Sequence, residues 1–157
     1  MNAERGMVLL LSLFVVVILS TLAFSAAQQT QLTSMRIRHD MDVGLARLAA
    51  QRAVIAQMLD LERLPDKSFT PQGDAGLYRV EAFTAPSIWA RASTWQTGRC
   101  RPAARVLERS AAPACTIVEL LRFRNTPEYR AFRVTARGVG VRIETTAFVQ
   151  AYTVLSP

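Results

Sequence analysis

The rhythm of hydrophobic positions changes three times along the chain. Residues 7–27 read MVLLLSLFVVVILSTLAFSAA, apolar on all sides and interrupted only by Ser12, Ser20, Thr21 and Ser25. At about 1.5 Å per residue, a helix of that length crosses a hydrocarbon core of roughly 30 Å. Apolar residues then narrow to one stripe: Ile37, Met41, Leu45, Leu48, Ile55 and Leu59 follow at three-, four- and seven-residue steps, with Ala49, Ala53 and Ala56 beside them. That spacing predicts a helix with one buried face. No proline occurs before Pro65, and Gly44 is the one weak helix former in the stretch. The pattern therefore predicts a single helix from Met7 to Leu61, about 80 Å long at the standard rise.

Turn chemistry follows, in Pro65-Asp66-Lys67 and from Pro71 to Gly76. Beyond it, residues 77–83, 116–124, 129–136 and 142–155 carry the apolar and β-branched runs of strands. The last two predict an antiparallel hairpin around Gly138-Val139-Gly140. That GVG lacks the third glycine, the following helix and the lysine with which a phosphate loop cradles its ligand, so it reads as a turn. Residues 85–114 hold Trp89, Trp95, three prolines and Cys100, with Cys115 directly after them, and read as a loop-rich excursion. The order of elements predicts an α+β fold. A long N-terminal helix, 7–61, packs on a small antiparallel β-sheet domain, 62–157, with a disulfide-closed loop.

Composition places these parts in two solvents. The chain has 157 residues, 50% apolar and 20% charged, and no charge lies between Arg5 and Arg36. An ordinary soluble globule is excluded by that gap; a disordered basic tail is excluded by positive mean hydropathy and recurrent aromatic and β-branched residues. The net charge of +7 comes from 19 basic residues, of which Lys67 is the sole lysine. Such usage fits a GC-rich genome better than a site, because the arginines are scattered and form no dense basic arm. Arg99, Arg101, Arg105 and Arg109 around the cysteine region are the candidate contacts for DNA or an acidic partner. Cys100 and Cys115 have no CxxC spacing and no nearby histidine, so neither a zinc knuckle nor a thioredoxin-like centre fits. A structural disulfide is the default if this part lies outside the cytoplasm, and it favours that orientation, which the flanking arginines leave open. Cleavage after Ser25-Ala26-Ala27, as in a secretory signal, is the weaker reading of the apolar run.

Catalytic chemistry lacks residues. The single histidine, His39, adjoins Asp40 on the helix past the apolar run. Asp40, Asp42, Asp60 and Glu62 lie on the helix without a geometry that would split their pKa values. No enzyme, cofactor or metal is expected.

Arg5-Gly6, followed at once by Met7-Val8-Leu9-Leu10-Leu11, resembles a class III prepilin leader. RGMVLLLSLFVVVILSTLAFSAAQQTQL together with FRVTARGVGVRIETTAFVQAYTVL resembles the PilX family of minor pilins in type IV pilus assembly. The resemblance covers residues 5–60 and 129–157 and leaves the middle unmatched. It implies that residues 1–6 are a leader cut by a prepilin peptidase between Gly6 and Met7, with N-methylation of Met7. It also implies a subunit held in the inner membrane, its globular domain in the periplasm, that is then transferred to an extracellular pilus. Its partners would be other minor pilins, the major pilin and a large tip adhesin. Major pilins resemble one another in carrying glutamate at the fifth residue after the cut; here that position is Leu11. A subunit with none above it gains nothing from a carboxylate in lipid, so Leu11 points to the tip or to initiation of assembly. Ser20, Thr21 and Ser25 are tolerated polar positions, or points where the rod bends more easily. The alternatives are a pilus-borne DNA-binding subunit, an ordinary single-span protein that keeps residues 1–6, and a minor, tip-like pseudopilin of a type II secretion system. Against the last, large tip pseudopilins carry an inserted helical domain for which 157 residues leave no room.

Overall fold

The computed structural model describes residues 2–80, 87–103, 107–121 and 129–155, with the side chains of residues 2–6 and 8–10 left aside. The expected strand ends at 81–83 and 122–124, and Arg105, lie outside the described residues. These fall into two compact units, 1–40 and 41–157.

Helix α1 runs Asn2–Leu59. It starts earlier than the expected Met7 and stops two residues before Leu61, because the backbone tightens there. Asp60 N–H donates to the Gln57 carbonyl, and Leu61–Arg63 form one 3-10 turn. Leu64 is then extended, as the residue before a proline prefers to be. Asp60 and Glu62 consequently sit in the exit turn and not on the helix.

The second unit is built around one sheet of β1 (Leu77–Val80), β2 (Arg101–Pro102), β3 (Cys115–Leu121), β4 (Arg130–Val139) and β5 (Thr146–Leu155). Its order is β1-β3-β4-β5, with β2 also paired to β3. β1 runs parallel to β3, and every other pairing is antiparallel. The sheet is therefore mixed, where the sequence pattern had predicted an antiparallel one. The excursion between β1 and β3 returns the chain to the same end of the sheet, which a run of strands does not reveal.

β3 is central, and residues 116–121 are buried on both faces. On one face, Val118, Leu120, Phe132, Val134 and Ala136 pack with Ala49, Ala50, Ala53 and Val54 of α1 and with Leu61, Phe69 and Leu77. The Phe69 and Phe132 rings meet at 5.7 Å. The helix contributes mainly alanine, so backbone comes close to backbone. Gly138 lies in β4, paired with Ala147, and not in the expected turn. A Cβ at Gly138 would run into the Ala46 carbonyl and lie 2.6 Å from Ala50 N. The turn of the hairpin lies at 140–145 instead. Gly138 is a notch for the helix, and only a residue without a side chain fits it.

Candidate functional site

Three features carry chemistry. The first is the apolar segment of the first unit. α1 is long and apolar enough there to cross a membrane, by length and composition. Met7, Leu11, Leu13, Phe14, Ile18, Leu22 and Phe24 are all exposed. Three of the segment's four polar side chains bond within the helix itself. Ser20 Oγ donates to the Val16 carbonyl at 2.7 Å, Thr21 Oγ1 to Ile18 at 2.8 Å and Ser25 Oγ to Thr21 at 2.9 Å. Where no water is available, this is how a hydroxyl is carried on a helix. Gly6 and Met7 lie within α1.

The second is a clasp between helix and hairpin turn, within the second unit. Asp42 is buried, and the sequence had placed it as one of several unpaired helix carboxylates. Thr145 Oγ1 donates to its Oδ2 at 2.7 Å, Arg142 Nε to Oδ2 at 3.1 Å, and Val141 N–H to Oδ1. The Thr145 hydroxyl first, then the Arg142 side chain and the turn N–H groups, hold the carboxyl down at about 2, against burial, which pushes it up. Gly140 leaves the space: a Cβ there would press on Asp42. The signal in the sequence was a turn rich in donors, Arg142 and Thr145, but nothing local pairs it with a residue a hundred positions earlier.

The third is the outer face of the sheet, away from the helix. Cys100 and Cys115 form a disulfide with Cα atoms 5.7 Å apart. Closing that loop stabilises the fold by about 3 kcal/mol in the chain-entropy account. Glu119 on β3 and Arg133 on β4 face one another in register, and both are buried. Arg133 Nε donates to Glu119 Oε2 at 2.6 Å and its Nη2 to Oε1, a bidentate pair that raises the arginine's pKa against the opposing effect of burial. The pair went unnoticed in the sequence, although a glutamate inside the apolar run Ile117-Val118-Glu119-Leu120-Leu121 was its signal. The loop carrying Trp89 and Trp95 is pinned here. Trp95 Nε1 donates to the Trp89 carbonyl at 2.8 Å, and the Trp95 ring stands edge-on to Phe148 of β5 at 5.2 Å.

Two clefts open beside that loop. One, of about 380 Å³, is lined by Tyr78, Arg79, Arg91, Arg99 and the Glu119–Arg133 pair, among others. The other, about 960 Å³, lies against the disulfide and is lined by Trp95, Arg101, Pro113, Arg137 and Ile143, among others. The four candidate arginines are thus not gathered into one patch. Arg99 lines the first cleft and Arg101 the second. Arg109 is an exposed turn residue with φ +74°, and Arg105 lies outside the described residues. His39 and Asp40 are exposed on α1. Among the described residues, no group of three or more His, Cys, Asp or Glu side chains is placed to hold a metal ion.

No protein-family model, no curated protein and no solved structure matches the chain.

Proposed function

We propose that this chain is a minor pilin that helps to initiate assembly of a type IV pilus and sits at or near its tip. The role is structural, not catalytic. The observation that carries the reading is the helix itself. Residues 7–27, directly after Arg5-Gly6, are apolar, with residues 7 and 11–27 exposed, and residues of the same helix beyond 41 give their small-residue face to a sheet. An apolar segment with satisfied hydroxyls suits lipid before assembly and the packed core of a filament afterwards, since both are waterless. Leu11 in place of a carboxylate supports a position with no subunit above. In this reading the prepilin peptidase cuts between Gly6 and Met7, Met7 is methylated, and the second unit is periplasmic until transfer, where its disulfide is stable.

Mass spectrometry of the mature protein tests this. The expected amino terminus is a methylated Met7, and replacing Gly6 should leave the precursor uncut and the cells without surface pili. A mature protein that retains residues 1–6, or normal processing after Gly6 is replaced, would overturn the reading.

A further inference from the structure

The cleft of about 380 Å³ on the outer face is lined by four arginines and one glutamate, and the chemistry of its floor and walls differs. Its floor holds the buried Glu119–Arg133 pair and Tyr78, whose hydroxyl donates to the Arg99 carbonyl at 3.2 Å. That bond ties the loop to β1 and places Arg99 at the wall while leaving its guanidinium uninvolved. Arg79, half-buried at the edge of the same cleft, donates Nη2 to the Asp66 carbonyl at 3.1 Å, and its Nε is buried without a hydrogen-bond partner. Glu119 has both oxygens engaged by Arg133 and so does not neutralise Arg79 or Arg99. Gln72 and Ser93 add further polar groups to the lining.

We infer that this cleft binds a carboxylate. Guanidinium groups fix a planar oxyanion through paired N–H bonds. The cleft has room for a group of side-chain to small-molecule size, which excludes insertion of a nucleic-acid duplex. A carboxylate also fits better than a phosphate, because its two coplanar oxygens match the paired N–H groups of one guanidinium edge and leave no further oxygen without a donor. A buried ion pair is an expensive way to fill a sheet, since apolar residues would serve stability at least as well. As the floor of a carboxylate site it has a use, because it presents a cation whose geometry is locked. The ligand is either a free carboxylic acid or an acidic side chain of another protein.

Neither tryptophan lines this cleft, so binding is read without a label by isothermal titration calorimetry. The full-length protein in detergent micelles is titrated with sodium citrate and, separately, with a tetraglutamate peptide, with sodium chloride of matched ionic strength and a tetraglutamine peptide as controls. A saturable change with citrate or tetraglutamate is expected, and neither control should give one. Arg99 is exposed, so Arg99→Gln folds normally; it should weaken binding by about tenfold or more, as loss of a charge-assisted contact does. Arg101→Gln, in the other cleft, should leave binding unchanged. Preference for citrate identifies a free acid and preference for tetraglutamate a protein segment, and either result supports the site. No saturable response to either ligand, or a response that Arg99→Gln leaves intact, would overturn the inference. So would tighter binding of inorganic phosphate.

Discussion

The two faces of the central sheet are held by opposite means. Toward the helix, Val118, Leu120, Val134, Ala136 and Gly138 meet alanines across an apolar stretch of interface, and what matters there is closeness. Away from the helix, the same strands β3 and β4 offer Glu119, Arg133, Thr135 and Arg137, and stability depends on particular partners: an ion pair, a disulfide, an indole N–H on a carbonyl. The inner face cannot accept an added atom; the outer face cannot lose a partner. A helix can be pressed onto a sheet by shape alone because its own backbone is already satisfied. The irregular loop on the other side bonds internally only through short 3-10 turns and an indole N–H, and the disulfide and the Trp95–Phe148 contact tie it to the sheet.

The sharpest break in this contrast is at the ion pair. Glu119→Ala leaves the nearly buried Arg133 guanidinium without its carboxylate, and should cost about 3–5 kcal/mol in denaturant unfolding of the full chain in micelles. Replacing both partners, Glu119→Leu with Arg133→Met, should recover most of that loss, because no charge is then stranded. Equal losses in the single and double variants would mean that filled volume, not pairing, holds the outer face. Next in size is the disulfide: Cys100→Ser with Cys115→Ser should lower stability by about 3 kcal/mol, and reducing agent should act on the wild type in the same way.

These features were unequally visible in the sequence. The long helix and the strands β3, β4 and β5 follow from periodicity and turn residues, because those signals act over a few neighbouring positions, and the disulfide follows from there being two cysteines. The parallel placement of β1 does not, since it depends on where a long excursion returns. Gly138 was misread for a related reason. A glycine between two strand-like runs signals a turn, and only the approach of Ala46 and Ala50, more than eighty residues earlier, shows that it is a notch. Asp42 was read as one more helix carboxylate without a paired geometry, because its donors arrive from the hairpin turn. Along the candidate site, composition pointed to arginines near the cysteines, but it could not show that Arg99 and Arg101 line different clefts.

Two glycine substitutions, one at the inner face and one on the exposed side of the helix, should act with opposite sign. Gly138→Ala puts a methyl against helix backbone that cannot move aside cheaply, and should cost about 1–3 kcal/mol. Gly44→Ala meets nothing within 4 Å on the exposed side of the same helix, and should stabilise by about 1 kcal/mol through helix propensity. Thermal unfolding of the two variants checks both. If Gly138→Ala were neutral, the helix would not be held by close approach.

The smallest effect is expected at Asp42, a charged group on the helix side, and it is a change in pH dependence. Its carboxyl is held at about 2 in the folded protein, below the ordinary value near 4. Protons therefore bind the unfolded chain more readily than the folded one between those values. The stabilisation from the clasp is complete above about pH 4 and is lost as the pH falls through about 2. Asp42→Asn removes the titration, and its amide cannot accept from Val141, Arg142 and Thr145 as the carboxylate does. The difference in stability between wild type and variant should be constant from neutral pH down to about 4, and should shrink between about 4 and 2. A constant difference across that range would place the worth of the clasp in the hydrogen-bond geometry of the turn and not in the charge on Asp42.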